Sequence, residues 1–289
     1  MTILVLGLNW PIMTWGLETI PPLWLTSFRL LGAGIGLGIV LAASGGLRRP
    51  PRADYSIVWS IAVVRLALVY GLVTTALLVV PPGRSSLLTH TAGLWAAPIG
   101  AWYLGERLTA RNGLALLFGI GGIVLLMDPW SLRAEGQALV GYAMLLGAAV
   151  ATAAATVHMR SHRWAATPLA LMPWQLTLAG ALSTVLALAA HGAPAFAWGG
   201  REIAVIAYQI VLASGFGVWG TITVSRSLPA VSTGILMMAV PVIGVASSVL
   251  FVHEVLTVAA VGGIVLVLIG VGLNVLADRR AQAASEAAV

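Results

Sequence analysis

The sequence contains no cysteine and no lysine, and it has few charged residues of any kind. Asp, Glu, Lys and Arg make up 8% of the 289 residues, whereas 60% are hydrophobic. Without cysteine the chain has no disulfides, thiol nucleophiles or thiolate metal sites. Because a soluble domain is about one quarter charged, this composition indicates an integral membrane protein. The net charge of +6 comes from arginine, and here it reports topology rather than nucleic-acid binding.

Motifs of enzymatic chemistry are also absent from the sequence. There is no HExxH, no Walker loop and no set of Ser, His and Asp at one membrane depth. The GIGG at 119–122 lies inside an apolar run, so a nucleotide-binding loop is excluded there. We therefore predict no catalytic residues, no metal ligands and no cofactor.

Ten apolar runs indicate an all-α fold rather than a barrel, whose strands would alternate apolar and polar residues. Each run is long enough to cross the bilayer as a helix, and turn-forming Pro and Gly residues separate several of them. The predicted spans are 2–20, 22–44, 55–79, 85–104, 111–127, 138–158, 167–190, 203–226, 231–251 and 258–277.

The arginines predict the orientation of these spans. With a cytoplasmic N-terminus, Arg84, Arg133 and Arg201 fall on the opposite side, and Arg29 and Arg65 fall inside spans. The remaining arginines all fall on the cytoplasmic side: Arg48, Arg49, Arg52, Arg107, Arg111, Arg160, Arg163, Arg226, Arg279 and Arg280. By the positive-inside rule, we expect a multi-pass protein of the bacterial inner membrane with both termini in the cytoplasm.

The two halves of the chain match each other when shifted by 148 residues. The shift places Glu106-x-Leu108-Thr109 on Glu254-x-Leu256-Thr257. Each half then holds five spans, and because five is odd, the halves must have opposite orientations in the membrane. We therefore predict two inverted five-helix repeats, 1–130 and 131–289, as in secondary transporters that bind substrate between the halves.

The LGLNWP opening of span 1, the LGERLT ending of span 4 and its HEVLT echo after span 9 resemble the EamA family of the drug/metabolite transporter superfamily. Within it, the sequence is most similar to the aromatic amino acid exporters of the YddG type. The resemblance implies ten helices, with spans 1, 3, 4, 6, 8 and 9 around a central cavity and spans 5 and 10 behind it.

Asn9, Trp10 and Pro11 lie together in span 1. Pro11 cannot donate a backbone hydrogen bond, and its ring crowds the carbonyl of Gly7. A freed carbonyl is tolerated in a membrane only against protein or a water-filled cavity, and the Asn9 amide has the same requirement. We predict that this face lines a cavity, although a helix–helix hydrogen bond from Asn9 with Trp10 as packing also fits.

Polar and aromatic residues deep in other spans complete the candidate site. His90 belongs to a stripe of small and polar residues on span 4, and the 148-residue shift places Met238 in the matching stripe of span 9. Tyr70 and Trp219 lie at similar depths in spans 3 and 8, where aromatic rings can stack on an apolar or cationic ligand. Core packing remains an alternative for each aromatic, and a bond to a neighbouring helix for His90.

We interpret the charged residues near the spans as structural. Glu18 and Arg29 flank the Pro21-Pro22 turn and are expected to pair, with capture of a substrate carboxylate by Arg29 as the alternative. Arg65 is expected to extend towards the cytoplasmic surface. Glu106 and Glu254 precede Thr109 and Thr257, which suit helix N-caps.

The sequence therefore predicts a secondary transporter that exports aromatic and other apolar amino acids by alternating access. Its substrate-binding residues would be Asn9, Trp10, Tyr70, His90, Trp219 and Met238. Its partners would be the small-molecule substrate and the lipid bilayer, without nucleic acid, and it would be a monomer or homodimer. Export of another metabolite or a cationic drug, and a role as a non-transporting membrane subunit, are the alternatives.

The arginine asymmetry predicts the outcome of reporter fusions. Fusions at residues 50 and 289 should both report a cytoplasmic location, because the two sites flank an even number of spans. A C-terminal fusion on the opposite side of the membrane would contradict the ten-span arrangement.

Overall fold

The computed structural model describes residues 1–105, 108–127, 136–217, 220–221 and 236–286, with side chains as far as residue 276. This part of the chain contains helices and connecting turns, without strands. The all-α prediction and the count of ten helical segments are confirmed. Six of these segments are long and apolar enough to cross a membrane.

The ten segments are numbered α1 to α10 in chain order. Their bounds are α1 Thr2–Leu17, α2 Pro22–Ala43, α3 Arg52–Ala76, α4 Pro82–His90 and Ala92–Leu104, α5 Ala110–Met127, α6 Gly136–Ser161, α7 Pro168–His191, α8 Gly200–Ala207 with Tyr208–Phe216, α9 Ala239–Val252 and α10 Val258–Glu286. Proline at the first helical position begins α2, α4 and α7, where its missing N–H has no helical partner to lose.

Two helices depart from regular α geometry in their middle. In α3, Ile61–Leu68 is π-helical, and in α8, Tyr208–Phe216 is π-helical. Helix α4 is interrupted by a turn at Thr91. Such irregular turns redirect side chains and often occur at functional sites, and all three stretches contribute residues to the cavity described below.

Packing divides the helices into pairs. Helix α5 packs along α10 and α2 along α7, while α1 packs on α9 and α4 on α6. Small residues let α5 and α10 approach closely: a Cβ atom at Gly122 would lie 2.7 Å from the backbone nitrogen of Val267 and 2.8 Å from the carbonyl oxygen of Gly263. Close approach over small residues is a common basis of helix association in membranes.

The carbonyl freed by Pro11 lies inside the protein, against α9. The hydroxyl of Ser247 on α9 lies 3.4 Å from the carbonyl oxygen of Gly7 and 3.0 Å from that of Gly244, so its proton is shared between these two acceptors. A Cβ atom at Gly7 would collide with the side chain of Ile243. The break in backbone hydrogen bonding therefore faces α9, in the interior.

Replacing Gly122 by Ala should lower the melting temperature of the detergent-solubilised protein, because the new methyl group meets backbone atoms that cannot move independently. Overpacking of this kind costs about 1–3 kcal/mol, which corresponds to a decrease on the order of 5 °C. Gly121→Ala is the matched control, since its nearest neighbour would be 3.8 Å away. Equal melting temperatures for the two variants would contradict close packing of α5 on α10.

Candidate functional site

A cavity of about 450 Å³ lies in the middle of the helical bundle. Its lining comes from seven helices, namely α1, α3, α4, α6, α8 and α9, as the family resemblance implied, and also α2. The lining residues are Leu6, Asn9, Trp10, Met13, Arg29, Arg65, Val69, Tyr70, Val73, Thr89, His90, Ala92, Thr152, Ala213, Gly217, Thr221, Met237 and Val240. None of these residues belongs to α5 or α10. The volume suits a small organic molecule.

Four of the six sequence-predicted site residues line this cavity: Asn9, Trp10, Tyr70 and His90. The rings of Trp10 and His90 are neighbours, with centroids 6.5 Å apart and planes tilted by 58°. Asn9 is buried, and its Oδ1 atom has no hydrogen-bond partner among the described residues. A buried acceptor without a partner is costly unless a ligand or water satisfies it, so Asn9 can accept a hydrogen bond from a bound solute.

The other two predicted site residues have different outcomes. Trp219 lies outside the described residues. Met238 is absent from the cavity lining, and its methyl carbon would touch a Cβ atom added at Gly272 of α10. The preceding residue, Met237, lines the cavity instead. A turn at Met238 interrupts the helical geometry there, so the regular spacing used in the sequence argument does not apply.

His90 is held in one orientation by the helix that carries it. Its Nδ1 atom lies 2.7 Å from the carbonyl oxygen of Ser86. Because a carbonyl only accepts hydrogen bonds, Nδ1 carries the proton. In the neutral ring Nε2 is then an acceptor, available to a hydroxyl or amide group in the cavity.

The predicted pairing of Arg29 with Glu18 is wrong. Arg29 is only 4% exposed, and its Nε atom donates to the hydroxyl of Ser214 on α8 at 2.9 Å. Its guanidinium carbon lies 4.2 Å from the centre of the Tyr70 ring, and this cation–π contact keeps the charged group beside the cavity. Glu18 pairs instead with Arg201 at 2.7 Å.

The structure places Arg65 in the cavity lining, together with Tyr70. That its side chain extends towards the cytoplasmic surface stays a prediction. Arg65 lies within the π-helical stretch of α3, where the regular helical period used to place its side chain fails. The cavity lining therefore contains two guanidinium groups, and that of Arg29 lies over the Tyr70 ring.

Acidic side chains lie at the ends of the bundle. We call the end that carries Glu18, Arg201 and Glu254 the Glu254 end. There Glu254, which follows α9, accepts hydrogen bonds from the backbone N–H groups of Gly83 at 2.7 Å and Arg84 at 3.3 Å. These N–H groups begin α4, where a carboxylate is favoured. The contact joins the two halves of the chain.

The Glu254 contact responds to protonation. Burial raises the pKa of the Glu254 carboxyl, although the backbone N–H groups of Gly83 and Arg84 and the charge of Arg84 act in the opposite direction. Relative to the unfolded chain, the contribution of this group to the stability of the folded state is therefore full below its ordinary pKa. It is lost as the pH rises through the raised value.

The opposite end, which we call the Asp54 end, has a similar contact. Asp54 begins α3, and its carboxylate accepts hydrogen bonds from the backbone N–H groups of Ala165 at 3.0 Å and Ala166 at 2.7 Å. His162 lies 2.9 Å from the same carboxylate. The contact joins α3 to the connection between α6 and α7, again across the two halves.

The predicted N-caps are confirmed. The hydroxyl of Thr257 accepts a hydrogen bond from the backbone N–H of Ala260 at 3.1 Å, and that of Thr109 accepts one from Asn112 at 3.3 Å. These threonines begin the turns into α10 and α5. Their role is structural, as the sequence indicated.

The chemistry available in the cavity is that of binding. The described residues include no cluster of His, Cys, Asp and Glu that could hold a metal ion. Two guanidinium groups, a carboxamide, an imidazole and aromatic rings can together hold a solute with a polar or charged end and an apolar end.

Removing the Glu254 side chain should open the Glu254 end. A Ser86→Cys reporter, on α4 one turn below Gly83, occupies a fully buried position, and the cysteine-free sequence makes its labelling specific. In the Glu254→Ala background we expect a maleimide to label it severalfold faster, since lost capping costs about 1 kcal/mol.

Glu18→Ala is the matched control for this measurement. Its ion pair with Arg201 lies at the same end but is about half exposed, and exposed pairs contribute little. Equal labelling in the two backgrounds would mean that Glu254 does not hold this end closed.

Comparison with known proteins agrees with this architecture. The probable amino-acid metabolite efflux pump of Escherichia coli is 25% identical over 96% of this chain and 94% of its own. The uncharacterized transporters YvbV and YoaV of Bacillus subtilis are 25% and 22% identical over 94% of this chain, and 88% and 93% of their own.

A solved crystal structure has the same fold. It aligns with a TM-score of 0.65 and 22% identity over 96% of both chains. The model of the EamA-like transporter family matches residues 1–128 and again 139–276. The chain is therefore a multi-pass membrane protein and a member of the EamA-like transporter family, whose members are transporters rather than enzymes.

Proposed function

We propose that this protein is a secondary transporter of the bacterial inner membrane that exports aromatic and other apolar amino acids by alternating access. The observation that carries the proposal is the central cavity, where aromatic rings adjoin polar groups. Trp10 and Tyr70 would contact the apolar part of the substrate, and Asn9 and His90 its polar groups. The Escherichia coli relative, a probable amino-acid metabolite efflux pump, supports both the direction of transport and the substrate class.

The charges in the cavity argue against export of a cationic drug. Arg29 and Arg65 both line it, and like charges in a medium of low dielectric constant repel strongly. The aromatic rings, which alone would also suit a cation, are already engaged: Tyr70 has the Arg29 guanidinium over its face. Among the alternatives, a solute with a carboxylate is therefore favoured.

Two inverted five-helix repeats, 1–130 and 131–289, are part of the proposal. The helix pairs support these repeats. If each helix of the first half is exchanged with its counterpart in the second half (α1 with α6, α2 with α7, and so on to α5 with α10), the same pairs of helices are obtained. The α5–α10 and α2–α7 pairs map onto themselves, and the α1–α9 pair maps onto α6–α4. Likewise, the contact of α3 with α7 corresponds to that of α8 with α2.

Irregular features of the backbone also recur after 148 residues. The π-helical stretch Ile61–Leu68 corresponds to Tyr208–Phe216. The left-handed residue Gly105, which ends α4, corresponds to the left-handed His253, which ends α9. Such strained or irregular positions are rare, so their repetition at one offset supports a common origin of the halves.

Carboxylates recur at the same offset. Asp54 at the start of α3 corresponds to Glu202 at the start of α8. Asp54 accepts a hydrogen bond from the backbone of the connection between α6 and α7. Glu202 accepts a hydrogen bond at 2.9 Å from the hydroxyl of Thr19, which lies between α1 and α2. In the alternating-access model these contacts, with that of Glu254, would break and form as the halves rock. With both termini in the cytoplasm, the Glu254 end faces outwards.

Transport by purified protein in liposomes tests this function. Labelled phenylalanine, tryptophan or leucine should move down its gradient through the wild-type protein. Trp10→Ala and His90→Ala should reduce the apparent affinity severalfold, because the loss of one ring contact costs on the order of 1 kcal/mol.

Trp102→Ala is the matched control, because Trp102 is 85% exposed at the end of α4 and far from the cavity lining. Normal transport by both cavity variants would show that these rings serve packing alone. No movement of any amino acid through the wild-type protein would contradict the proposed function.

A further inference from the structure

The cavity holds positive charge with no negative charge against it. Arg29 and Arg65 line it, together with the neutral or weakly basic Asn9, Tyr70 and His90. No Asp or Glu is among the lining residues in the described part of the chain. A charge inside a membrane protein is costly unless it is paired.

The acidic side chains that the structure describes are all engaged at the ends of the bundle. Glu18 pairs with Arg201, Asp54 contacts His162, Glu202 contacts Thr19, and Glu254 contacts Gly83 and Arg84. Residues 218–235 contain no Asp or Glu in the sequence. The counter-ion of the two cavity arginines is therefore not found among these carboxylates.

The existing contacts of Arg29 leave its charge uncompensated. Its Nε–H meets the Ser214 hydroxyl, one Nη1–H points at the thioether of Met13 at 3.6 Å, and its face lies over Tyr70. These partners are neutral, and they fix the orientation of a guanidinium that has five N–H groups. The arrangement presents an oriented donor beside the cavity.

Tyr70 and the two arginines share one region of the cavity. The Arg29 guanidinium covers the Tyr70 ring, and Arg65 belongs to the same lining. A carboxylate placed next to Tyr70 could therefore receive charge-assisted hydrogen bonds from the arginines, and these are roughly twice as strong as neutral ones. An ammonium group could donate to Asn9, but it would be repelled by the same two positive charges.

We propose that Arg29 and Arg65 form the carboxylate subsite of the transporter, and that its preferred substrates are net anions. The class is an apolar carboxylate without a free ammonium group, such as a deaminated or N-acylated amino acid. The unpartnered Oδ1 of Asn9 would accept the N–H of an N-acyl group. This inference rests on the proposed export function, and it shifts the preferred substrates from zwitterionic amino acids to their anionic derivatives.

Binding and transport by the wild-type protein in liposomes are compared for four compounds that share a phenyl ring but differ in charge. They are the anions 3-phenylpropanoate and N-acetyl-L-phenylalanine, the zwitterion L-phenylalanine and the cation phenethylamine. We expect the two anions to bind about tenfold more tightly than L-phenylalanine, because a hydrogen-bonded charge contributes on this scale, and we expect phenethylamine not to compete. Tighter binding of phenethylamine or L-phenylalanine than of the anions would overturn the inference.

The second part of this experiment measures the binding of the same two anions by variants of the cavity arginines. Arg65→Gln should weaken the binding of both anions about tenfold, and Arg29→Lys, which keeps the buried charge, should weaken it less. Arg201→Gln is the matched control, since that arginine pairs with Glu18 at the surface. Unchanged anion binding by Arg65→Gln would overturn the carboxylate subsite.

The failure of the inference can be told apart from the failure of the function. If L-phenylalanine is transported and the arginine variants bind anions normally, the export function stands and the subsite is wrong. If the wild-type protein transports no amino acid, the proposed amino acid export is wrong. If it transports neither amino acids nor their anionic relatives, the subsite proposal fails as well.

Discussion

A guanidinium group inside a lipid-spanning bundle, with no carboxylate against it among the residues that the structure describes, is the constraint on which the rest of the site depends. Arg29 is 4% exposed and is positioned by Ser214, Met13 and Tyr70. In a soluble protein water would compensate such a charge, but the interior of a membrane protein offers little water and few ions. The cavity next to it must then supply either water or an anionic solute. This requirement is the basis of the proposed preference for acidic solutes over cationic ones in an apolar pocket with aromatic walls.

The acidic residues follow the complementary rule, because they lie where helices end. Glu254 caps α4 from the end of α9, and Asp54 binds the connection before α7 from the start of α3. Each contact uses backbone N–H groups that lack helical partners and links the two halves of the chain. The ends of the bundle are thus joined by contacts that can be broken at modest cost, whereas α5 and α10 are joined by backbone packing at Gly122. The α5–α10 pair is therefore the tightly packed part of the bundle, and the contacts at its two ends are the ones that can separate.

The sequence predicts the helices well because the bilayer imposes their length and apolar character, and Pro22, Pro82 and Pro168 punctuate them. The position of a backbone group that needs a polar partner in lipid was also predictable, since the carbonyl freed by Pro11 lies inside the protein, 3.4 Å from the Ser247 hydroxyl. The directions of side chains could not be predicted from the sequence. Glu18 and Arg29 are close in sequence, but Arg29 faces α8 across the bundle. Arg65 and Met238 lie where π-helix or a turn breaks the regular period, so helical spacing gave no guide to which way they point.

The most direct test of the carboxylate subsite is a crystal structure of the protein with 3-(4-bromophenyl)propanoate bound. The anomalous signal of bromine locates the apolar end of the molecule, and the electron density locates its carboxylate. The account predicts bromine beside Trp10 and His90, with carboxylate oxygens about 3 Å from the guanidinium nitrogens of Arg29 or Arg65. A ligand that occupies the cavity with its carboxylate pointing away from both arginines would contradict it.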